Sequence, residues 1–549
     1  MSLEHGLRAH DQLQSPACSQ ERAYSCRRLG GRGGCGEILP TVLRKMHSEK
    51  PEVSLVHCTA AISQSRRDVR TWPTVLLLFW DLSLLRMSAD VVLCTSAITT
   101  LERTSQWYMA LQVFDSMPAF AVRPNVISRS SLITAFDKGE HWQAAIHVLI
   151  GMPSAGSLPD RISYNSAINA CQTGEAWETA CQVLTKMPSA RLAPNLISYN
   201  STVATCEKSG QWQAAVELLS DMQHSQLRLD VISYNTAISA CEKAGEWQIA
   251  LHLLAALPCC HLEPDVISFS GAISACQKGD QWQAAVELLA AMPLGRVVPD
   301  VIAYNSAIAA CEKGKRWEMA VRLLSDLVAA KLKPSVVTFN SAISACETTW
   351  QAALQVLMVM HTWTTMPDTI TYNSTISAVS RGECWQRSSA MLKHIASRAL
   401  RRNVISYSSA MASFEVGGRW KGALGLCLKM CGSTVLPNVV SGSTLISACA
   451  EAGPWHIALR LHASMHSDSA AGPSIASSNS AMSACLASFH WQNALQLHAG
   501  ICLPDSRVTP DVLSHGSAVM ACERAFLHKN AAKVLAQLHD SCYCLCNSR

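Results

Sequence analysis

Trp107, Trp142, Trp177, Trp212, Trp247, Trp282 and Trp317 follow one another at intervals of 35 residues. Trp350 comes 33 residues later, Trp385, Trp420 and Trp455 return to 35, and Trp491 follows after 36. With Trp72, thirteen of the fifteen tryptophans in the 549-residue chain occupy one slot of a repeat. Such a chain is an array, not a set of unrelated domains. Each period is one supersecondary unit that buries its apolar face on its neighbours.

Counting each unit from the residue after a Pro-Asp or Pro-Asn pair, thirteen units run from Leu55 to Asp511, and a degenerate one opens at Val512. Val336–Asp368 is two residues short, and insertions fall near Gly472 and around Leu503–Ser506, where hairpin loops tolerate length changes. Within Val231–Asp265, Tyr234, Ala237, Ile238 and Cys241 are spaced i, i+3, i+4, i+7, which predicts one apolar helix face. Gly245 punctuates it. Trp247, Ala250, Leu251, Leu254 and Leu257 predict a second amphipathic helix, and Pro264 stops the chain before the next unit. Each unit is therefore a helical hairpin.

Most repeated positions read as architecture. The slot-17 tryptophans lie on the apolar face of the second helix and are expected in the core. Cys171, Cys206, Cys241, Cys276, Cys311, Cys346, Cys449, Cys485 and Cys522 share slot 11 on the apolar face of the first helix. They read as small buried thiols, since 35-residue spacing does not build one metal site. The 24 cysteines carry no secretory signal pattern, so a disulfide framework is not expected. No apolar run is long enough to cross a membrane; Val75–Trp80 falls where a repeat helix belongs. A net charge of +5 neither demands nor excludes a polyanionic partner.

Slots 2, 5, 9 and 13 fall in a narrow arc of the first helix at about 100° per residue. Slot 5 is Asn165, Asn200, Asn235, Asn305, Asn340, Asn373 and Asn479, with Ser130, Ser270, Ser408 and Ser443, and Thr59 and Thr95, in the other full units. These types are mediocre helix formers that compete for backbone groups. Their persistence points to a task beyond folding, or to a side-chain-to-backbone bond in the first helical turn. Slot 35 is Asp90, Asn125, Asp160, Asn195, Asp230, Asp265, Asp300, Ser335, Asp368, Asn403, Asn438, Ser474 and Asp511. All three types cap helix N-termini, which explains the class of residue but not the choice between Asp and Asn.

Thirty-five-residue units with Tyr-Asn near the start and Pro-Asp at the end resemble pentatricopeptide repeats over residues 55–511, in the plain P-type form without a catalytic tail. The resemblance implies an all-α, right-handed superhelical solenoid of about 13–14 helix-turn-helix repeats. It implies single-stranded RNA as partner, with slots 5 and 35 hydrogen-bonding the Watson–Crick edge of one base per repeat. Ile127, Ile162, Ile197, Ile232, Ile267 and Ile302 at slot 2 would clamp the bases. Lys138, Lys208, Lys243, Lys278 and Lys313 at slot 13 would approach phosphates. Glu207, Glu242 and Glu312 at slot 12 would weaken that backbone contribution.

Read N-terminus to C-terminus as 5′ to 3′, the implied bases are G-A-G-Y-U-U-G-C-U-Y-A, an untranslated twelfth for Ser443/Ser474, and U. The slot-17 Trp and slot-11 Cys depart from the commonest family choices. A tetratricopeptide scaffold that binds proteins is the rival, but it repeats at 34 residues and carries its Trp in the first helix. No cofactor is implied, and no deaminase His-x-Glu with Cys-x-x-Cys, phosphate loop or nucleophile elbow is found. His539, Cys542, Cys544 and Cys546 fit no closed metal site. Gly516 holds slot 5 in the last unit, and 512–549 reads as a degenerate capping repeat with a Cys-rich tail. Residues 1–54, rich in Arg, Gly and Ser, read as a leader or degenerate repeat. Glu4, Asp11 and Glu21 count against a transit peptide, yet the resemblance implies a chloroplast or mitochondrial location.

Overall fold

The structure, a computed structural model, describes residues 72–73, 75–76, 79–80, 90–363, 365–382, 384–398, 400–433, 435–467, 474–502 and 510–525. Thr59, the leader 1–54, the insertions near Gly472 and at Leu503–Ser506, and the cluster from His539 to Cys546 lie outside the described residues. The described elements are α-helices and short 3-10 turns, with no strand among them.

Two compact units divide the chain, residues 1–275 and 276–549. The first contains five complete helical hairpins, whose opening helices begin at Val91, Val126, Arg161, Leu196 and Val231. The second contains six, beginning at Val301, Val336, Thr369, Val404, Val439 and Ile475, and then the helix Val512–Arg524. Within each unit an opening helix packs on its own closing helix and on the next opening helix, as an α-solenoid requires. The all-α hairpin array expected from the sequence is thus what the chain forms.

In the hairpin Val231–Ala244 and Trp247–Cys259, the buried set is Tyr234, Ala237, Ile238, Ala240, Cys241, Ala250, Leu254 and Leu257. Leu251 and Trp247 are half-buried. Slot-11 thiols are buried wherever described, and burial pushes those of Cys276, Cys311, Cys346 and Cys485 up to about 11. They are packing groups with little thiolate at neutral pH.

The seven hairpins that open at Val91 through Val301 each have two left-handed residues. Slot 15 holds Gly210, Gly245 and Gly418, but also Ser105, Glu140, Glu175, Asp280, Lys315 and Phe489, all at positive φ. Slot 31 is left-handed at Ala121, Gly156, Arg191, Gln226, His261, Arg296 and Lys331. The closing helix Trp247–Cys259 therefore ends well before Pro264, because His261 terminates it and Leu262 donates its amide to the Leu257 carbonyl.

The tryptophans differ from expectation. They are half-buried and lie in the seam between consecutive hairpins. A Cβ built on Gly139, Gly174, Gly314 or Gly382 would fall 2.5, 2.0, 2.5 or 2.0 Å from Cδ1 of Trp107, Trp142, Trp282 or Trp350. These glycines occupy slot 14 of the following repeat, and at these four seams a Cβ would overlap the indole as placed, whereas slot 14 is Ser209 after Trp177 and Ala244 after Trp212. Slot 16 of the following repeat covers another part of the ring: His141 lies 4.0 Å from Trp107, and His490 stacks at 4.0 Å on Trp455. Arg316 and Arg419 place their guanidinium groups 5.1 and 5.3 Å from the Trp282 and Trp385 centroids. The same side chain that marks the repeat joins it to the next.

Candidate RNA-binding face

Slot 35 is a helix cap throughout. Twelve described slot-35 side chains, from Asn125 to Asp511, accept the backbone N–H three residues on, whereas Asp90 does not. The chain there is extended, so the side-chain oxygen folds back onto the first turn of the next opening helix.

That cap also touches slot 5 of its own repeat. Asn235 Nδ2 donates to Asp265 Oδ1 at 3.0 Å, and Asn479 Nδ2 to Asp511 Oδ1 at 3.0 Å. Asn200 reaches Asp230 and Asn340 reaches Asp368, both at 3.4 Å, and Asn373 reaches Asn403 at 3.3 Å. The fold therefore brings together two positions 28–32 residues apart in sequence, because slot 35 opens the next helix alongside the helix that carries slot 5. Where slot 5 is Ser or Thr the hydroxyl turns inward. Thr95 donates to the Val91 carbonyl, Ser130 to Ile127, Ser270 to Val266, Ser408 to Ile405 and Ser443 to Val440.

An amide nitrogen has two N–H groups and a carboxylate about four lone-pair positions. The Asn235–Asp265 contact uses one donor, so the pair keeps a donor and acceptor capacity side by side. Burial works against the charge on Asp265. The Ser268 amide and hydroxyl and the Asn235 amide outweigh it and hold the carboxyl below the ordinary carboxylate range. Asp368 and Asp511 are held low in the same way, by Thr371 with Asn340 and by Ser514 with Asn479.

Beside each pair stands an uncovered aliphatic side chain. Ile127, Ile162, Ile197, Ile232, Ile267 and Ile302 are 60–66% exposed, and Val92, Val337, Ile370, Ile405 and Val440 continue the slot-2 series. One exposed isoleucine is unremarkable, but the same slot exposed in repeat after repeat is a stripe that packing does not explain.

Slot 13 is more constrained than a free cationic row. Lys138 pairs with Glu102 at 3.1 Å, Lys243 with Glu207 at 3.2 Å and Arg381 with Glu347, each acid being slot 12 of the preceding repeat. Lys313 pairs with Asp280 at 3.1 Å and donates to the Lys278 carbonyl. Lys208 favours the charge on Asp137, whose carboxyl is nonetheless pushed up by burial. Slot 12 itself leans into the seam: Ser239 donates to Glu207 at 3.1 Å and Asn169 to Asp137 at 3.3 Å. Among the described residues no group of three or more His, Cys, Asp or Glu side chains is placed to hold a metal ion, and no helix is long and apolar enough to cross a membrane.

Sequence reasoning missed slot 3. Its hydroxyls, Ser198, Ser233, Ser268, Thr338, Thr371, Ser406 and Ser514, are fully buried and donate to the slot-5 Asn Oδ1 of the preceding repeat at 2.5–2.8 Å. The signal was available, since a Ser or Thr sits 31–35 residues after every slot-5 Asn.

Protein-family models for repeats of this kind match the chain in several places. The PPR repeat family matches residues 194–241 and 299–348, the pentatricopeptide repeat domain 147–208, and the PPR repeat 232–257 and 443–469. No curated protein sequence matches. Among solved structures, the crystal structure of the pentatricopeptide repeat protein PPR10 from maize is similar at 17% identity and a TM-score of 0.53, over 91% of this chain and 81% of that one. PPR10 in complex with an 18-nt psaJ RNA element aligns at 16% identity and a TM-score of 0.42, over 95% of this chain and 86% of that one. The matches fall on hairpins of 35-residue period, so the chain carries pentatricopeptide repeats within residues 147–257, 299–348 and 443–469.

Proposed function

We propose that this chain binds single-stranded RNA one base per repeat, reading each base edge with slots 5 and 35 and flanking it with slot 2. The carrying observation is the contact between Asn235 and Asp265, and its equivalents, beside the exposed slot-2 stripe. A donor next to an acceptor complements a pyrimidine edge, and a β-branched aliphatic offers a flat apolar surface to a base face. The paired slot-13 cations contribute a modest backbone attraction, because an approaching phosphate competes with an existing carboxylate partner. The proposed setting is an organellar transcript, in chloroplast or mitochondrion, where the bound array stabilises RNA or positions it for processing or translation.

The test is selection from a random RNA pool with the purified full-length chain, followed by mobility shift of the winners across a salt series. The expected outcome is a consensus matching G-A-G-Y-U-U-G-C-U-Y-A at most readable positions, with RNA length unchanged. Absence of any shift at low salt overturns RNA binding. Enrichment without a consensus overturns base reading.

A further inference from the structure

The slot-3 hydroxyls are not passive filler. In each capping box that includes Ser198, Ser268, Thr338, Thr371, Ser406 or Ser514, the hydroxyl oxygen accepts the backbone N–H of slot 35 at 3.1–3.3 Å. Its one proton has two acceptors in reach at Ser198, Ser268, Thr371, Ser406 and Ser514: the slot-5 Oδ1 of the preceding repeat at 2.6–2.8 Å and the slot-35 Oδ1 at 2.6–2.8 Å. At Thr338, where slot 35 is the hydroxyl of Ser335, the Asn305 Oδ1 at 2.5 Å is the one carbonyl acceptor among these side chains. The two ends of an amide have nearly the same shape, so hydrogen bonds alone decide which end faces which neighbour. A donor fixed behind Oδ1 turns Nδ2 away from it, toward slot 35.

The hydroxyl follows the identity of slot 5. After Thr95, Ser408 and Ser443 it reverts to its own cap, with Ser128, Ser441 and Ser477 donating to the backbone carbonyls of Asn125, Asn438 and Ser474. After Ser130, Ser163 donates to Asp160 Oδ1. Among full repeats that follow another, the two that lack a slot-3 hydroxyl, with Leu93 and Ala303, come after Thr59 and Ser270, never an Asn.

We propose that the slot-3 hydroxyl is a positioning residue that locks the slot-5 amide of the repeat before it, so that base specificity at Asn repeats is set by three side chains drawn from two repeats. The proposal rests on slots 5 and 35 being the base readers. It is tested at Asn305, whose Oδ1 is held by Thr338 at 2.5 Å and whose slot-35 counterpart, Ser335, makes no hydrogen bond to it.

The experiment measures equilibrium binding of the full chain to four RNAs that carry the wild-type consensus and differ only at the eighth base. Thr338→Val removes the hydroxyl and keeps the shape, and Thr338→Ser restores it. Thr371→Val repeats the test at the ninth base should Thr338→Val fail to fold. Ser441→Ala is the control for a lost capping box, because its hydroxyl does not reach Ser408. Discrimination among the four RNAs falls about tenfold in Thr338→Val, a loss within the span of one base-edge contact, and returns in Thr338→Ser. Ser441→Ala, tested on a second set of four RNAs that differ only at the eleventh base, weakens binding to all four alike. If wild type discriminates and Thr338→Val discriminates equally, the positioning role is overturned while the base-reading role stands. If wild type itself does not discriminate, both fall.

Discussion

Replacing Gly314 by Ala is a sharp probe of how the repeats are joined. Gly314 follows the helix Val301–Lys313 with φ −73° and ψ −2°, a conformation that alanine adopts without strain. On backbone grounds alone the exchange stabilises by about 0.5–1 kcal/mol, since glycine loses more chain entropy on folding. The structure reverses the sign. The new methyl would sit 2.5 Å from Cδ1, 2.8 Å from Cγ and 3.2 Å from Cβ of Trp282, near the root of that side chain where it has least freedom to move. Overpacking of this kind costs about 1–3 kcal/mol, so the net change is a loss of roughly 0–2.5 kcal/mol. Trp282→Ala removes the obstruction, and Gly314→Ala in that background recovers its stabilising sign. The coupling between the two changes is therefore about 1–3 kcal/mol.

Because stability in such an array is close to a sum over neighbouring repeats, the global transition is a poor readout. Amide hydrogen exchange resolved along the chain is the assay. Protection should fall in the helices Trp282–Leu294 and Val301–Lys313 and leave Val439–Ala452 unchanged. Equal stabilisation by Gly314→Ala in both backgrounds refutes the seam, and uniform loss along the chain refutes the one-dimensional picture.

Gly425 is the contrasting case: it lies inside the helix Trp420–Gly432 with nothing near its missing Cβ, so Gly425→Ala stabilises by about 0.5–1 kcal/mol, read as slower exchange in that hairpin. Acidification separates the caps from the rest. Asp368 has its carboxyl held below the ordinary range, so its contribution is present above the unfolded pKa and is lost as pH falls through the folded one. Asp137, Glu312 and Glu415, raised by burial, act with the opposite sign, so wild type and Asp368→Asn must be compared. Asp368→Asn loses less stability than wild type between about pH 5 and pH 2 in thermal unfolding, and equal losses refute the charged cap. Asn235→Thr, which breaks the 3.0 Å contact to Asp265, moves the sixth selected base from U toward G by a margin of about 1–3 kcal/mol; an unchanged sixth base denies slot 5 its reading role.

Those outcomes bear on why some of this molecule was visible in its sequence and some was not. Periodicity revealed the hairpins, because Tyr234, Ala237, Ile238 and Cys241 obey one helical face and that face is buried. It misplaced the tryptophans. An apolar residue at helical spacing reports only that a face is covered, and Trp282 is covered by Gly314 and Arg316 of another repeat. The pairing of Asn235 with Asp265 required knowing that slot 35 starts the next helix beside the first, a consequence of stacking that no single repeat contains. Ser268 stands out in no local pattern, although its burial and its short approaches to Asn235 and Asp265 make it the link between them. In an array, a residue's role is divided between its own hairpin and the neighbour. Features that stay inside one period are legible from local patterns. Those that cross between periods appear only as co-variation between slots, as the small residue at slot 14 accompanies Trp and the hydroxyl at slot 3 accompanies Asn.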